Sequence, residues 1–252
     1  MTDTTLQNKN VLVTGGSRGL GLGIVEALVA RGARVTVLAR DAGRLAEVAA
    51  RLGVATRAGD VTDPKLAKEL LHELRPDVLV LNAGASPGLG ALDTLSWDDF
   101  RSTWETDVKS TFFWLQGALR MPLAKGSRVL VASSGAAVNG SPMSGGYAGA
   151  KRTQWLITQY AAGVAKERGL DIRFQVLVPR QMIGDTALGR AGAEVYAKKK
   201  GVSVEAFLAG FGKALTPREL GEHVATILGD PRYADGMAFG VKGDTGIVSL
   251  DG

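Results

Sequence analysis

Tyr147 and Lys151 stand four residues apart, Ser134 lies upstream of the tyrosine, and a glycine-rich turn, Thr14-Gly15-Gly16-Ser17-Arg18-Gly19-Leu20-Gly21, sits near the start of the chain. Residues i and i+4 of a helix share a face, so the ammonium of Lys151 can sit beside the phenol of Tyr147. A phenol is a poor proton-transfer group near neutrality, but an adjacent positive charge stabilises the phenolate and makes the pair a usable acid or base. Ser134, at the end of an apolar run, can hydrogen-bond a substrate oxygen. Taken singly, the tyrosine and lysine read as an exposed aromatic and a solvated cation. Their order and separation, with the turn upstream, point to a nicotinamide-dependent oxidoreductase.

The glycine turn follows an apolar run and precedes a helix-compatible run over 20–30, the context that a dinucleotide cradle requires. Gly15, Gly19 and Gly21 let the backbone turn tightly and approach a ligand, and the helix start presents free N–H groups and a positive dipole end to a pyrophosphate. A plain strand-to-helix turn is the alternative. Cofactor choice is read at the end of the second strand, where an acid would bind the ribose 2′-hydroxyl and arginine would accommodate a 2′-phosphate. That strand ends Leu38-Ala39-Arg40, and Arg18 can reach the same pocket, so NADP is expected over NAD. The next residue, Asp41, can contact the ribose or cap the following helix. Asp60, followed by Val61 beyond the third strand, is placed to contact the adenine. The competing role of helix start is already served by Asp63 and Pro64. Asn82-Ala83-Gly84 ends the fourth strand with small residues that would leave room for the cofactor.

The elements that must hold these groups alternate. Apolar runs at 11–13, 34–38, 54–57, 78–81, 128–132 and 172–178 are separated by stretches of helical period, a βαβ rhythm that predicts a doubly wound parallel α/β sheet with helices on both faces. A chain of 252 residues, 45% hydrophobic and 22% charged, with no repeat or linker, is expected to form a single domain over 1–252. It has no cysteine and only two histidines, His72 and His223, so no disulfide framework, thiolate chemistry or metal site is expected. Residues 1–10 are polar and no run reaches membrane-spanning length, which predicts a cytoplasmic protein. The net charge is +5, but thirty basic residues are scattered among twenty-five acidic ones. The cluster Lys198-Lys199-Lys200 reads as a solvated helix end, and neither nucleic acid nor membrane is an expected partner. Helices over 108–121 and 148–165 are apolar on more than one face. Either another subunit covers the second face, giving a homo-oligomer, or a further segment of the same chain does.

In its motifs and their order the chain resembles the short-chain dehydrogenase/reductase family, compact single-domain branch, from about Val11 to Gly252. The resemblance rests on T-G-x-x-x-G-x-G at 14–21, Asp60-Val61, Asn82-Ala83-Gly84, Ser134 and Tyr147-x-x-x-Lys151. It implies a Rossmann-like fold, NAD(P) binding, reversible hydride transfer and a tetramer or dimer. It also implies that Tyr147 is general acid and base, that Ser134 polarises the carbonyl, and that Lys151 assists the tyrosine and holds the nicotinamide ribose. Arg18 and Arg40 match positions used for a 2′-phosphate.

Three departures accompany it. Asp107 stands where the family has a catalytic asparagine. It is expected to favour charged Lys151 and to alter the proton relay, unless the backbone carbonyl makes that contact. After the sixth strand the chain reads Pro179-Arg180-Gln181-Met182-Ile183-Gly184-Asp185-Thr186, with Arg180 in place of glycine and the threonine displaced. Pro179, Ile183 and Thr186 are carried over as neighbours of the nicotinamide. The tail 243–252 matches only loosely. The stretch 187–215 lies where relatives place a substrate lid, and Tyr196, Phe207, Leu208 and Phe211 either line it or pack its helices. These readings predict an NADPH-dependent carbonyl reductase or alcohol dehydrogenase acting on a small molecule. The alternative is a catalytically weak NADP-binding sensor or scaffold.

Overall fold

The β-branched and aliphatic runs become the strands of one sheet. In the computed structural model, which describes residues 6–251, these are β1 (Asn10–Thr14), β2 (Arg34–Ala39), β3 (Ala55–Ala58), β4 (Val78–Leu81), β5 (Arg128–Ala132), β6 (Arg173–Pro179), β7 (Ala238–Lys242) and β8 (Gly246–Ser249). Their order is β3-β2-β1-β4-β5-β6-β7-β8, parallel except for the antiparallel β7–β8 pair. The chain steps outward from β1 to β3 and then returns to place β4 on the other flank of β1. That reversal opens a crevice at the carboxyl edge between β1 and β4, where such sheets bind ligands. The start of the polar N-terminal stretch, Met1 to Thr5, and the last tail residue, Gly252, lie outside the described residues.

Among the described residues ten α-helices accompany the sheet: α1 (Gly19–Ala30), α2 (Ala42–Leu52), α3 (Pro64–Leu74), α4 (Trp97–Thr103), α5 (Lys109–Arg120), α6 (Ala136–Asn139), α7 (Tyr147–Glu167), α8 (Ala187–Lys200), α9 (Val204–Ala209) and α10 (Pro217–Gly229). A π-helical turn, Trp104–Val108, joins α4 to α5. Side chains of β1 alternate between the faces. Val11 and Val13 pack with Ile24 and Leu28 of α1 and Val224 of α10, while Leu12 packs with Trp114 of α5 and Ala161 of α7. Each such fully buried aliphatic side chain contributes roughly 1.5–3 kcal/mol. Both faces are therefore closed by helices, which holds the loops of the carboxyl edge on a rigid support.

The six strands expected from sequence are present. Two more, β7 just before the stretch read as a loose tail and β8 within it, were not expected, because runs of four or five residues broken by Gly240, Gly243 and Gly246 give little periodicity to read. Lys198, Lys199 and Lys200 occupy the last turn of α8, exposed and followed by Gly201 at φ 66°, as expected of a solvated helix end. On α5 and α7, Trp114 and Trp155 are buried while Phe112 and Tyr160 are 48% and 65% exposed. No described segment of the chain covers that second apolar face. Among the described residues no helix is long and apolar enough to cross a membrane.

Candidate active site

The glycine turn is clamped to the end of β4. The Thr14 hydroxyl accepts the backbone N–H groups of Asn82 (3.1 Å) and Ala83 (3.2 Å) and donates to the Val80 carbonyl (3.4 Å). In return the Asn82 side-chain amide donates to the carbonyls of Thr14 (3.4 Å) and Gly15 (3.3 Å). Gly15 has φ 69°, and a Cβ there would lie 2.7 Å from the Ala83 Cα; a Cβ on Gly21 would strike the Gly15 carbonyl. These two glycines are demanded by the fold itself. Gly19 is different: its φ is 53°, and a Cβ would find nothing nearer than the Thr186 methyl at 3.7 Å. Its requirement is backbone conformation, on an open side of the turn.

The start of α1 has no side-chain cap, whereas Asp41, Asp63, Ser96, Thr186, Ser203 and Thr216 cap α2, α3, α4, α8, α9 and α10. The first N–H groups of α1 and its positive dipole end therefore face the crevice. Arg18 and Arg40 are exposed beside it. Asp41 has both oxygens engaged by Arg44, one on its backbone N–H (3.0 Å) and one on its side chain (3.2 Å). Asp41 thus caps α2, as one of its two readings has it. Asp60 uses Oδ1 to accept the Thr62 N–H and hydroxyl, each at 2.8 Å. Those bonds, with Arg40 and Lys109 adding a little, hold its carboxyl below the usual range. Asp63 accepts from the Lys65 N–H (2.8 Å) ahead of α3, and the carbonyl of buried Val61 accepts the Trp114 indole (3.0 Å). An open glycine backbone, an uncapped helix start and two exposed guanidinium groups fit a dinucleotide.

Tyr147 opens α7, and Lys151 follows one turn later with its ammonium 5.6 Å from the tyrosine ring centre. Lys151 is buried. Its Nζ lies 3.0 Å from Asp107 Oδ2 and donates to the Ala132 carbonyl at 3.2 Å. Asp107 sits on the π-helical turn, fully buried, with Oδ1 accepting the Ala85 N–H at 2.8 Å. Burial alone would depress the Lys151 ammonium, but the Asp107 carboxylate, with Tyr147 behind it, outweighs that and holds it above the ordinary value. The Asp107 carbonyl is occupied by Gln154 Nε2 and Ser110 Oγ, both donating at 3.2 Å. The side-chain carboxylate, not the carbonyl, therefore contacts Lys151.

Ser134 follows β5, and its hydroxyl accepts the Ala136 N–H at 3.2 Å. It lines one cavity of about 420 Å³ together with Tyr147, Leu20, Pro179, Ile183 and Thr186. Tyr196, Phe207 and Phe211 close the far wall; Tyr196 stacks on Phe207 with ring centres 5.9 Å apart. The Tyr196 hydroxyl pairs with Ser141 Oγ (2.9 Å) and accepts the Met143 N–H (3.2 Å), which ties α8 to the loop before Tyr147. A separate cavity of about 410 Å³, lined by Arg34, Gly53 and Glu73, lies at the opposite edge of the sheet and holds none of these groups.

The fold adds neighbours that the sequence did not show. Asn82 and Ala83 pack against the glycine turn, and a Cβ on Gly84 would lie 2.9 Å from Asp107 Oδ2. Ile183 is buried in the core, and the Thr186 hydroxyl caps α8 by accepting the Gly189 N–H (2.9 Å) while donating to the Ile183 carbonyl (2.9 Å). Only the Thr186 methyl faces the turn at Gly19. Leu208 packs on Gly184, away from the cavity lining. Sequence reading gave no individual role to Thr14, Ser133, Gln154 or Gln181. The Ser133 hydroxyl donates to the Lys151 carbonyl at 2.8 Å, and Gln154 braces Asp107. Gln181 accepts the Gly243 N–H (2.7 Å) and donates to the Lys213 carbonyl (2.9 Å). The available signal was a polar residue on the Lys151 face of α7, and it pointed to Gln154 alone.

Known proteins resemble this chain in sequence and fold. The family profile described as short chain dehydrogenase matches residues 9–197. An oxidoreductase of Sarocladium schorii, asL5, is 28% identical over 205 residues, 77% of this chain and 81% of its own. A 2,5-dichloro-2,5-cyclohexadiene-1,4-diol dehydrogenase of Sphingobium indicum is 31% identical over 183 residues, 69% of this chain and 72% of its own. Among solved structures, a variant actinorhodin polyketide ketoreductase with NADPH superimposes with a TM-score of 0.80 at 25% identity, covering 95% of this chain and 98% of the other. A short chain dehydrogenase of Burkholderia cenocepacia in complex with NADP gives 0.74 at 27% identity, with 95% and 98% covered. The chain belongs to the short-chain dehydrogenase family, oxidoreductases that act on CH–OH and C=O groups.

Proposed function

We propose that the protein is an NADP(H)-dependent carbonyl reductase, or the reverse alcohol dehydrogenase, with Tyr147 as its general acid and base. The observation that carries this reading is that Tyr147 and Ser134 line one cavity, Lys151 stands behind the tyrosine, and Leu20 of the glycine turn borders the same space. Arg18 and Arg40 would hold the 2′-phosphate, the start of α1 the pyrophosphate, and Asp60 with Val61 the adenine end. Asn82, Ala83 and Gly84 would serve it indirectly by fixing the turn, and Pro179, Ile183 and Thr186 would border the nicotinamide.

The bound nicotinamide supplies or accepts the hydride. In reduction the Tyr147 hydroxyl gives its proton to the nascent alkoxide, and in oxidation the phenolate takes it from the alcohol. Lys151 stabilises the phenolate by its charge, and Ser134 hydrogen-bonds the reacting oxygen and polarises the carbonyl. Asp107 keeps Lys151 charged and aimed, which makes it a positioning residue. The NADP preference is supported by the exposed Arg40 and by the engagement of Asp41 as a cap. The stretch 187–215 acts as the substrate lid, and Phe112 and Tyr160 mark the face on which a second copy would dock.

The test is NADPH consumption across ketones, aldehydes, sugars and acyl thioesters, with Tyr147→Phe alongside. The expected result is turnover on one class, lost in Tyr147→Phe while NADPH binding is kept. Unchanged turnover in that variant removes Tyr147 from the mechanism. Silence across the panel with NADPH still bound favours the cofactor-sensing alternative.

A further inference from the structure

The cavity that holds Ser134 and Tyr147 has a one-sided charge. Among the described residues that line it, the charged ones are Arg180 and Lys200, both cationic, and none is a carboxylate. Arg180 follows β6 directly. Its N–H donates to the Val241 carbonyl at 2.8 Å, and its Cα lies 3.3 Å from where a Cβ on Gly135, the neighbour of Ser134, would stand. Its stem crosses β7 at Gly240, where a Cβ would come within 2.6 Å of the Arg180 Cδ. A glycine in the middle of a strand costs stability, and here it admits the arginine stem.

The Arg180 guanidinium is exposed and forms no ion pair with a described carboxylate, unlike Arg44, Arg51, Arg57, Arg101 and Arg190. Lys200 is likewise exposed and forms no ion pair with a described carboxylate, with its ammonium 5.3 Å from the ring centre of Phe207, which is itself part of the cavity wall. Apolar walls weaken solvent screening, so a cation at such a rim acts more strongly on an anion than one on an open surface.

We propose that the carbonyl compound taken by this pocket carries an anionic group, held by Arg180 with Lys200 at the rim. The inference rests on the reductase reading for the reaction, but the charge recognition is separate from it. A planar guanidinium fork suits a carboxylate or a phosphate, and a neutral analogue of the same shape would leave it unanswered.

The test compares 4-acetylbenzoate with its methyl ester. Calorimetric titration into protein saturated with NADP⁺, where no reduction takes place, is expected to show the acid binding about tenfold or more tightly than the ester. Arg180→Met keeps an aliphatic stem over Gly240 and is expected to bring the acid-to-ester ratio close to one, as is raising the salt to about 0.5 M. Equal affinity for acid and ester in the wild type, a ratio preserved in Arg180→Met, or binding of neither compound overturns the proposal. Charge-dependent binding without Tyr147-dependent turnover would remove the reductase reading and leave the anionic pocket. Tyr147-dependent turnover indifferent to the charge would do the reverse.

Discussion

Asp107 Oδ2 lies 3.0 Å from Lys151 Nζ, and the two side chains form a buried ion pair directly behind Tyr147. Removing one partner of such a pair costs about 3–5 kcal/mol because the other charge is left buried and unanswered. Asp107→Asn is therefore expected to lower stability by about that amount, measured by urea unfolding at pH 7. The double variant with Lys151→Met should lose less than the sum of the single variants. Lys151 is held above its ordinary value in the folded state, so its contribution is complete below pH 10.5 and disappears as the pH rises through the folded value. A wild-type loss on the alkaline side that is absent from Lys151→Met would show this.

Ser134→Ala should lower kcat by about 10²–10³ while leaving NADPH affinity unchanged, since one donor to a developing oxyanion is worth that much. Among the described residues the Ser134 hydroxyl accepts only the Ala136 N–H. Thermal unfolding should therefore move little, and a large drop in Tm would assign the serine a structural role instead.

Arg40→Ala is expected to weaken NADPH binding about tenfold or more, with little change for NADH, because a charge-assisted bond to the 2′-phosphate is the contact removed. Fluorescence titration with both nucleotides decides it. An equal loss for the two would move Arg40 away from the 2′-phosphate.

Asn82→Ala should behave differently. Its amide braces the Thr14 and Gly15 carbonyls, so its loss should cost about 1–2 kcal/mol of stability and weaken NADPH and NADH to the same degree. Selective loss of one nucleotide would mean that Asn82 contacts the cofactor directly.

His223 supplies an acid-side pH dependence. Burial lowers its imidazole below the ordinary value despite the opposing charges of Glu219 and Glu222, with Lys213 adding to the depression. The folded state then prefers the neutral ring, so the stabilisation is present above the ordinary value of 6.5 and is lost as the pH falls through the folded one. His223→Gln should flatten the dependence of Tm on pH between about 7 and 5; an unchanged slope would assign it to other groups.

Sequence alone determined the alternation of strands and helices, the turn at 14–21, the Tyr147–Lys151 face of α7 and the place of Ser134 at the end of β5. Each is a local matter, set by apolar periodicity, by glycine at positions without room for a Cβ, and by the pitch of a helix. The tertiary structure decided what depended on partners distant in the chain. Asp41 became a helix cap, Asn82 a brace for the turn, Gly84 a space for Asp107, and Ile183 a core residue. The ion pair joins residues 107 and 151 across two helices, and the charge of the cavity comes from residues 180 and 200 on separate elements. Spacing along a chain carries no information about which polar atoms will meet once the sheet closes. That is fixed only when burial forces most polar groups to find partners.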